Sequence, residues 1–470
     1  MSTRRGALAG AVLAVVAPAV TVLALVAVGP ARPAVAPAEA VRPPVRTPLE
    51  SLALVCPSAV PGAAAVLVGT EPGPDGGTPT PGELALRAGG DRRPLDPVPG
   101  GVARSGAAPG PVTVLGGGAL AAGLAAARGG AGAPAGTACR PPQPDAWFTG
   151  ATSGAVSSSV LELVNPDAGP AVADVSVLSG SGPREVPDLL GITVPPRSSL
   201  TLPLAEVVPR RDTLALHLVV SRGRLGAQVL DSREPLGADL LRREWLAPQS
   251  EPATRQVLLG LPAEATESSL VLANPGEDEV LATLEVVTEQ GTLAPVGAPR
   301  IRVAPGSVAR IPVGALLRRE VRAGALGVVV SSSGPVTTAL RSLVRDDLAY
   351  TVGGPVGAAP AGSGARAAQT LLPPAAGATA RLVLAAEQPA SATVLVRGAR
   401  GRVLAEDRLR VGAGAAATID LPRGSAWVRV DSGRSPVAGA VVVTGAGATV
   451  LPLAERVTTA LIPDVRPEAW

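Results

Sequence analysis

The chain has 470 residues, 46% of them hydrophobic, enough for more than one buried core at roughly 100–200 residues per domain, which excludes disorder along its whole length. With 56 Gly, 50 Pro and only four Trp, Tyr350, Phe148 and His217 as rings, turns must be dense, elements short and cores built from Ala, Val and Leu. All 41 basic residues are Arg against 38 acids, and a net charge of +3 this close to balance gives no electrostatic footprint of a nucleic-acid binder.

Residues Ala7 to Val28 are 22 uncharged residues dominated by Ala, Val and Leu, long enough at about 1.5 Å per residue to cross a hydrocarbon core of roughly 30 Å. Cleavable signal peptides carry apolar regions of only about 7–15 residues, so the length favours an uncleaved signal anchor. Ala36-Pro37-Ala38 and Ala38-Glu39-Ala40 keep cleavage and secretion open as the alternative. Arg4 and Arg5 precede the span while Arg32, Arg42 and Arg46 follow it, so a positive-inside count does not orient it. A short leading tail (1–28 with the span) and a Pro-rich, extended spacer (29–50) describe an anchor with the C-terminal bulk outside the cytoplasm.

Two cysteines, Cys56 and Cys139, stand 83 residues apart without the spacing of a zinc or redox motif. In an exported chain the pair is most simply one disulfide; in a cytosolic one it would be two buried thiols. The enclosing segment, 51–149, carries strand-like runs at Ala65-Val66-Leu67-Val68, Glu83-Leu84-Ala85-Leu86 and Val112-Thr113-Val114-Leu115. It reads either as a separate sandwich or as strands completing the unit that follows.

Self-similarity is the strongest signal. Leu161-Glu162-Leu163-Val164-Asn165-Pro166 returns 109 residues on as Leu270-Val271-Leu272-Ala273-Asn274-Pro275, and Val194-Pro195-Pro196-Arg197-Ser198 as Val303-Ala304-Pro305-Gly306-Ser307. Ala215 to Ser221 matches Ala325 to Ser331 one residue later in phase. A weaker third copy runs through Leu382-Val383-Leu384, Ala392 to Val396 and Ala426 to Asp431, with Glu387-Gln388-Pro389 where the others have Asn-Pro. Ala173, Val175 and Val177 alternate with Asp174 and Ser176, and Ala282, Leu284 and Val286 with Thr283 and Glu285, the period of a half-buried strand. Asn-Pro and Pro-Gly-Ser punctuate the strand ends. The expected fold is mainly β: tandem antiparallel immunoglobulin-like β-sandwich domains after one N-terminal transmembrane helix, with repeats at 150–250, 251–365 and, divergent, 366–465.

Cys56-Pro57, Cys139 followed by Trp147-Phe148-Thr149-Gly150, Asn165-Pro166 and Val194 to Ser198 resemble an actinobacterial family of envelope proteins, domain of unknown function 5719, over roughly Cys56 to Leu461. The resemblance implies a signal anchor and an exported β-rich region, and brings no activity or catalytic residue.

Candidate chemistry is sparse. Gly116-Gly117-Gly118-Ala119-Leu120-Ala121 follows a strand and precedes a helix-like Ala-rich run, Leu120 to Arg128, but lacks the acidic residue of a dinucleotide site about 20 positions on and reads as a turn. His217 lies inside a strand with Leu326 as its counterpart 109 residues on, which reads as structural. Glu277-Asp278-Glu279 and Asp346-Asp347 could serve carboxylate-dependent hydrolysis but fall in turns, where charge is ordinarily solvated. Trp147 and Trp245 are the candidates for stacking on a sugar, against packing between domains. The paired arginines Arg92-Arg93, Arg210-Arg211, Arg242-Arg243 and Arg318-Arg319 are scattered as surface charge is. The expectation is a non-enzymatic, membrane-anchored envelope protein acting as a structural or docking module, without cofactor, metal or nucleic acid. Its partner is the membrane through the N-terminal helix, and beyond that an envelope protein or cell-wall polysaccharide. A carbohydrate-binding protein of the wall is the alternative, and an unrecognised carboxylate hydrolase the third.

Overall fold

Strands of Ala, Val and Leu in alternation can bury one face each, and here they do so in pairs of sheets. The structure, a computed structural model, describes residues 45–71, 82–130, 134–209, 213–234, 241–249, 251–345, 347–355, 367–433 and 435–462. Among the described residues no helix is long and apolar enough to cross a membrane, and the expected span Ala7 to Val28 lies outside them. Val45–Pro48 pairs with Thr459–Ile462 in a two-stranded sheet, and Pro48–Thr459 form one compact unit.

That unit contains four sheet pairs with a single strand order. In the first, Ser51–Cys56, Val112–Gly118, Gly82–Ala88 and Asp91–Pro94 face Val102–Ala107, Ala65–Gly69, Ala125–Gly129 and Gly136–Ala138 across one core. Counted along the chain, the first sheet is first, sixth, third and fourth strand, and the second is fifth, second, seventh and eighth. The fourth pair repeats this with Ala367–Leu371, Ser425–Asp431, Ala390–Gly398 and Val403–Val411 against Ala415–Asp420, Thr379–Ala386, Ala438–Thr444 and Ala448–Pro452. Both middle pairs split the fourth strand in two. The second has Asp145–Ala151, Leu214–Arg222 and Ala171–Ser179 against Ser199–Pro203, Ser157–Val164, Gly226–Arg233 and Arg242–Leu246.

In the third pair the sixth and seventh strands are one 18-residue strand, Gly327–Val344. Its start pairs with Val280–Val287 and Ala253–Leu259, and its end with Ala265–Asn274 and Asp347–Val352. The same passage in the second pair is broken at Gly223, whose φ of 75° a Cβ would strain. A parallel contact between Ser179 and Ser307 joins the second and third pairs into one 13-stranded sheet.

Residues 51–138 thus form their own two sheets, and the division expected at 149/150 falls inside Asp145–Ala151, which pairs with Leu214–Arg222. The Ala-rich run from Leu120 is not helical: Gly118 and Gly123 take positive φ, and Ala125–Gly129 is a strand buried on both faces, where small side chains let two neighbouring strands and a second layer approach. The repeat also slips further than the one-residue change of phase in the sequence. His217 pairs with Ser176, and at the equivalent of Ser176, Glu285, the partner is Val329 and not Leu326. The cause is the preceding helix, four residues at Leu204–Val207 but nine at Gly314–Arg322.

Asn165 and Asn274 do more than start a turn. Each is fully buried; the Asn165 amide nitrogen lies 2.8, 3.0 and 3.1 Å from the carbonyl oxygens of Gly169, Val194 and Pro195, and its Oδ1 accepts from Asp167 N–H at 3.0 Å. Asn274 repeats this on Asp278, Val303 and Ala304 (2.7, 3.1 and 3.2 Å) and on Gly276 N–H (2.9 Å). The amide clasps the end of the second strand to the chain leading into the fifth. In the first pair Thr70 stands in this place, donating to the Val98 carbonyl at 3.2 Å, and in the fourth pair the exposed Glu387 reaches Arg255 instead.

Removing a clasp leaves buried carbonyls without donors, at about 1–3 kcal/mol per unsatisfied group. Asn165→Ala and Asn274→Ala should each lower stability by about 2–4 kcal/mol in urea denaturation, Asn274→Asp should be no better because a carboxylate cannot donate, and Glu387→Ala should cost under about 1 kcal/mol.

Candidate functional site

Four pairs with apolar interiors still have to be joined, and the joints are rich in buried polar groups. Between the second and third pairs the Asp231 carboxylate is fully buried. Its Oδ1 accepts from the hydroxyls of Thr152 and Ser159, both at 2.8 Å, and its Oδ2 accepts from the Tyr350 hydroxyl at 2.7 Å and from the Arg341 guanidinium at 3.3 Å. Arg341 also donates to Ser157 Oγ at 3.1 Å. Burial opposes the arginine's charge, but Tyr350 and Asp231 outweigh it and hold its pKa above the ordinary value, while burial pushes the tyrosine's well up. Gln249 completes the seam, accepting from Thr149 N–H at 2.8 Å and donating to the Thr338 carbonyl.

The first and second pairs meet at Ser58, whose N–H donates to Glu162 at 2.7 Å and whose carbonyl accepts from Trp245 Nε1 at 3.0 Å. Nearby Arg128, fully buried, donates to the carbonyls of Pro57, Ala64 and Ala108 at 2.7–2.8 Å and to that of Gly110. Burial lowers its pKa to about 10, with Glu162 working the other way, and raises that of Glu162 against the Ser58 hydrogen bonds. The fourth pair closes on the third through Val257, Leu259, Val383 and Val450, and on the first through Leu67, Leu371 and Trp427. Arg429 and Arg456 of the chain's C-terminal part reach Glu71 at 3.4 and 2.7 Å. The pairs are therefore tandem in sequence but form a closed ring in space, first to second to third to fourth to first.

The expected site residues fall inside these joints. Cys56 and Cys139 form the disulfide, buried in the first core. Neither candidate indole has a free face for a sugar. Trp147 is buried against Val271, Ala273 and Val308 of the third pair and stacks on His217 with ring centroids 4.1 Å apart. Trp245 is buried against Val60, Ala63 and Ala135. The reason is area: in a chain so poor in aromatics, its largest apolar side chains go where sheet pairs meet. His217 is held by Asp145 at 2.6 Å. Glu277, Asp278 and Glu279 are exposed in the turn after Asn274, and Asp346 lies outside the described residues. Among the described residues no three of His, Cys, Asp and Glu converge as metal ligands.

Sequence reasoning missed the buried seams, a further buried acid and a cavity. Glu244 is buried, accepting from Trp245 N–H at 2.9 Å; burial raises its pKa well above the carboxylate range, and Asp347 adds to the rise. At the centre of the ring lies a cavity of about 480 Å³, lined by all four pairs. Leu52 and Leu54 come from the first, Gln249 from the second, Leu259 from the third and Val450 from the fourth, with Arg140 on the wall. No local pattern marks these features, because they are made by residues up to hundreds of positions apart.

Fold and site together define a mainly β body of four sheet pairs of one strand order around a central cavity. The chain belongs to a family of unknown function (DUF5719), whose match covers residues 112–422, from the start of the strand Val112–Gly118 to within the fourth pair. No curated protein matches the chain.

Breaking the central ion pair strands a buried carboxylate, so Arg341→Ala should cost about 3–5 kcal/mol, and Asp231→Asn added to it should recover part of that in a double-mutant cycle. Glu244 stays protonated in the fold above the pH, roughly 4.3, at which it ionises in the unfolded chain. The folded state then holds more protons, so this group's contribution falls as pH rises above that value. Glu244→Gln should therefore stabilise the protein at pH 7, with the gain shrinking toward zero near pH 4, as followed by thermal melts across that range.

Proposed function

We propose that the protein is a non-enzymatic component of the cell envelope, tethered by the segment Ala7 to Val28 and exposing, beyond the cytoplasm, a rigid body that serves as a structural or docking module. Each sheet pair is read as an immunoglobulin-like sandwich. The observation that carries the reading is the ring itself: buried hydrogen-bonded seams, such as Asp231 with Arg341, hold four modules in one arrangement. Such a body presents fixed outer surfaces. The Cys56–Cys139 disulfide supports residence in an oxidising compartment, where such bonds persist.

A reporter that is active only outside the cytoplasm, fused after Trp470, should be active in cells, and peptide mapping without reductant should recover Cys56 joined to Cys139. In-cell crosslinking of the anchored protein should recover a defined envelope protein. A cytosolic reporter signal would overturn the placement, and recovery of wall polysaccharide alone would favour the carbohydrate-binding reading.

A further inference from the structure

The central cavity has the size of a ligand site, since small-molecule cavities run to roughly 300–1,000 Å³ and this one measures about 480 Å³. Its wall is mainly aliphatic, with Leu52, Leu54, Leu124, Val257, Leu259 and Val450 contributed by three of the four pairs. Such a surface suits a flexible hydrocarbon chain, each buried methylene of which is worth about 0.8 kcal/mol. Among the described residues of the lining there is no aromatic platform of the kind that flat rings or sugars stack on.

Polar side chains interrupt the wall, Gln143, Gln249, Thr351 and Thr370 among them, and two stand out. Arg140 lines the central cavity and also the two small cavities that flank it, one beside Glu162 and one beside Glu244 and Tyr350. Its backbone is fixed by reciprocal hydrogen bonds with Val55 (2.7 and 3.1 Å), directly after the disulfide residue Cys139. Its guanidinium, unlike those of Arg128 and Arg341, makes no hydrogen bond or ion pair among the described residues. Half-buried as a residue, it is far enough from bulk water that desolvation lowers its pKa. The second feature is Gln369, whose Nε2 donates to the Gly123 carbonyl at 3.1 Å while its buried Oε1 has no donor. The lining's carboxylate, Glu455, is exposed and makes no ion pair with Arg140. A cation held in an apolar recess without a counter-ion is costly, and an anion supplied from outside removes that cost.

We propose that this cavity binds one anionic amphiphile, an acyl or alkyl chain ending in a carboxylate or phosphate, with its head on Arg140 and its chain along the aliphatic wall. The guanidinium suits either head, since both accept two parallel N–H bonds. The proposal rests on the cavity and Arg140 and is independent of where in the cell the protein resides.

The test uses the full chain in phosphatidylcholine nanodiscs, with diazirine-bearing palmitate, hexadecyl phosphate and hexadecanol as photoprobes and with labelled peptides mapped after illumination. At least one of the two anions should label the peptides carrying Leu259 or Val450 at least tenfold more than the alcohol does, and the comparison of the anions identifies the preferred head. Arg140→Gln should abolish that preference and Arg140→Lys should keep most of it. Equal cavity labelling by alcohol and anions, label confined to Ala7 to Val28, or an unchanged preference in Arg140→Gln would overturn the proposal. The comparison of probes on the unaltered chain decides even if the glutamine variant does not fold.

Discussion

The carboxylate of Asp231 is the group on which the arrangement of this molecule turns. It belongs to the second sheet pair, yet two of its partners, Arg341 and Tyr350, belong to the third, and it is closed to solvent. A buried charge tolerates very few geometries, because each lost hydrogen bond leaves a desolvated group behind. A purely apolar contact between two sheets can slide. A carboxylate that accepts from Thr152, Ser159, Tyr350 and Arg341 at once cannot, so the seam fixes the relative position of two modules whose own cores are ordinary Ala, Val and Leu packing.

Ring closure multiplies that effect. Each sheet pair touches two others, so no pair can swing without opening two seams, and the chain's distant parts are bound into one cycle by contacts such as Glu71 with Arg456. The cavity follows from the same closure: four convex bodies meeting in a ring leave space at the centre. Arg140 and Gln369 are among the polar groups on its wall. The joints consume the conspicuous side chains, and what is left facing the centre is mostly aliphatic.

Within a single module the sequence was largely legible. The alternation at Ala173, Val175 and Val177 and its copy at Ala282, Leu284 and Val286 place these side chains in the cores, and the Asn-Pro pairs mark strand ends. Three readings needed the third dimension. Leu120 to Arg128 has helix-forming composition but becomes a turn and a strand, since a slot between two strands and a second sheet outweighs intrinsic propensity. Trp147 and Trp245 were readable as packing between domains or as ligand platforms, and only the fold shows that each is covered, because a lone aromatic flanking a repeat carries no sign of what covers it. The partner of Asn165 at Val194 is 29 residues away, close enough to suspect a turn but not to foresee a clasp.

The sequence by itself determined the β character of the repeats, the inward faces of their alternating strands and the repeat that carries them, because each depends on period-two burial or turn chemistry. Tertiary structure alone decided that residues 51–138 make a fourth module of the same strand order, that the four close into a ring, and that Asp231, Arg128, Glu162 and Glu244 are buried while the acidic turn after Asn274 is not. Strand patterns report which side of a sheet is covered. They do not report what covers it, and in this protein the seams and the cavity are made entirely of that second kind of information.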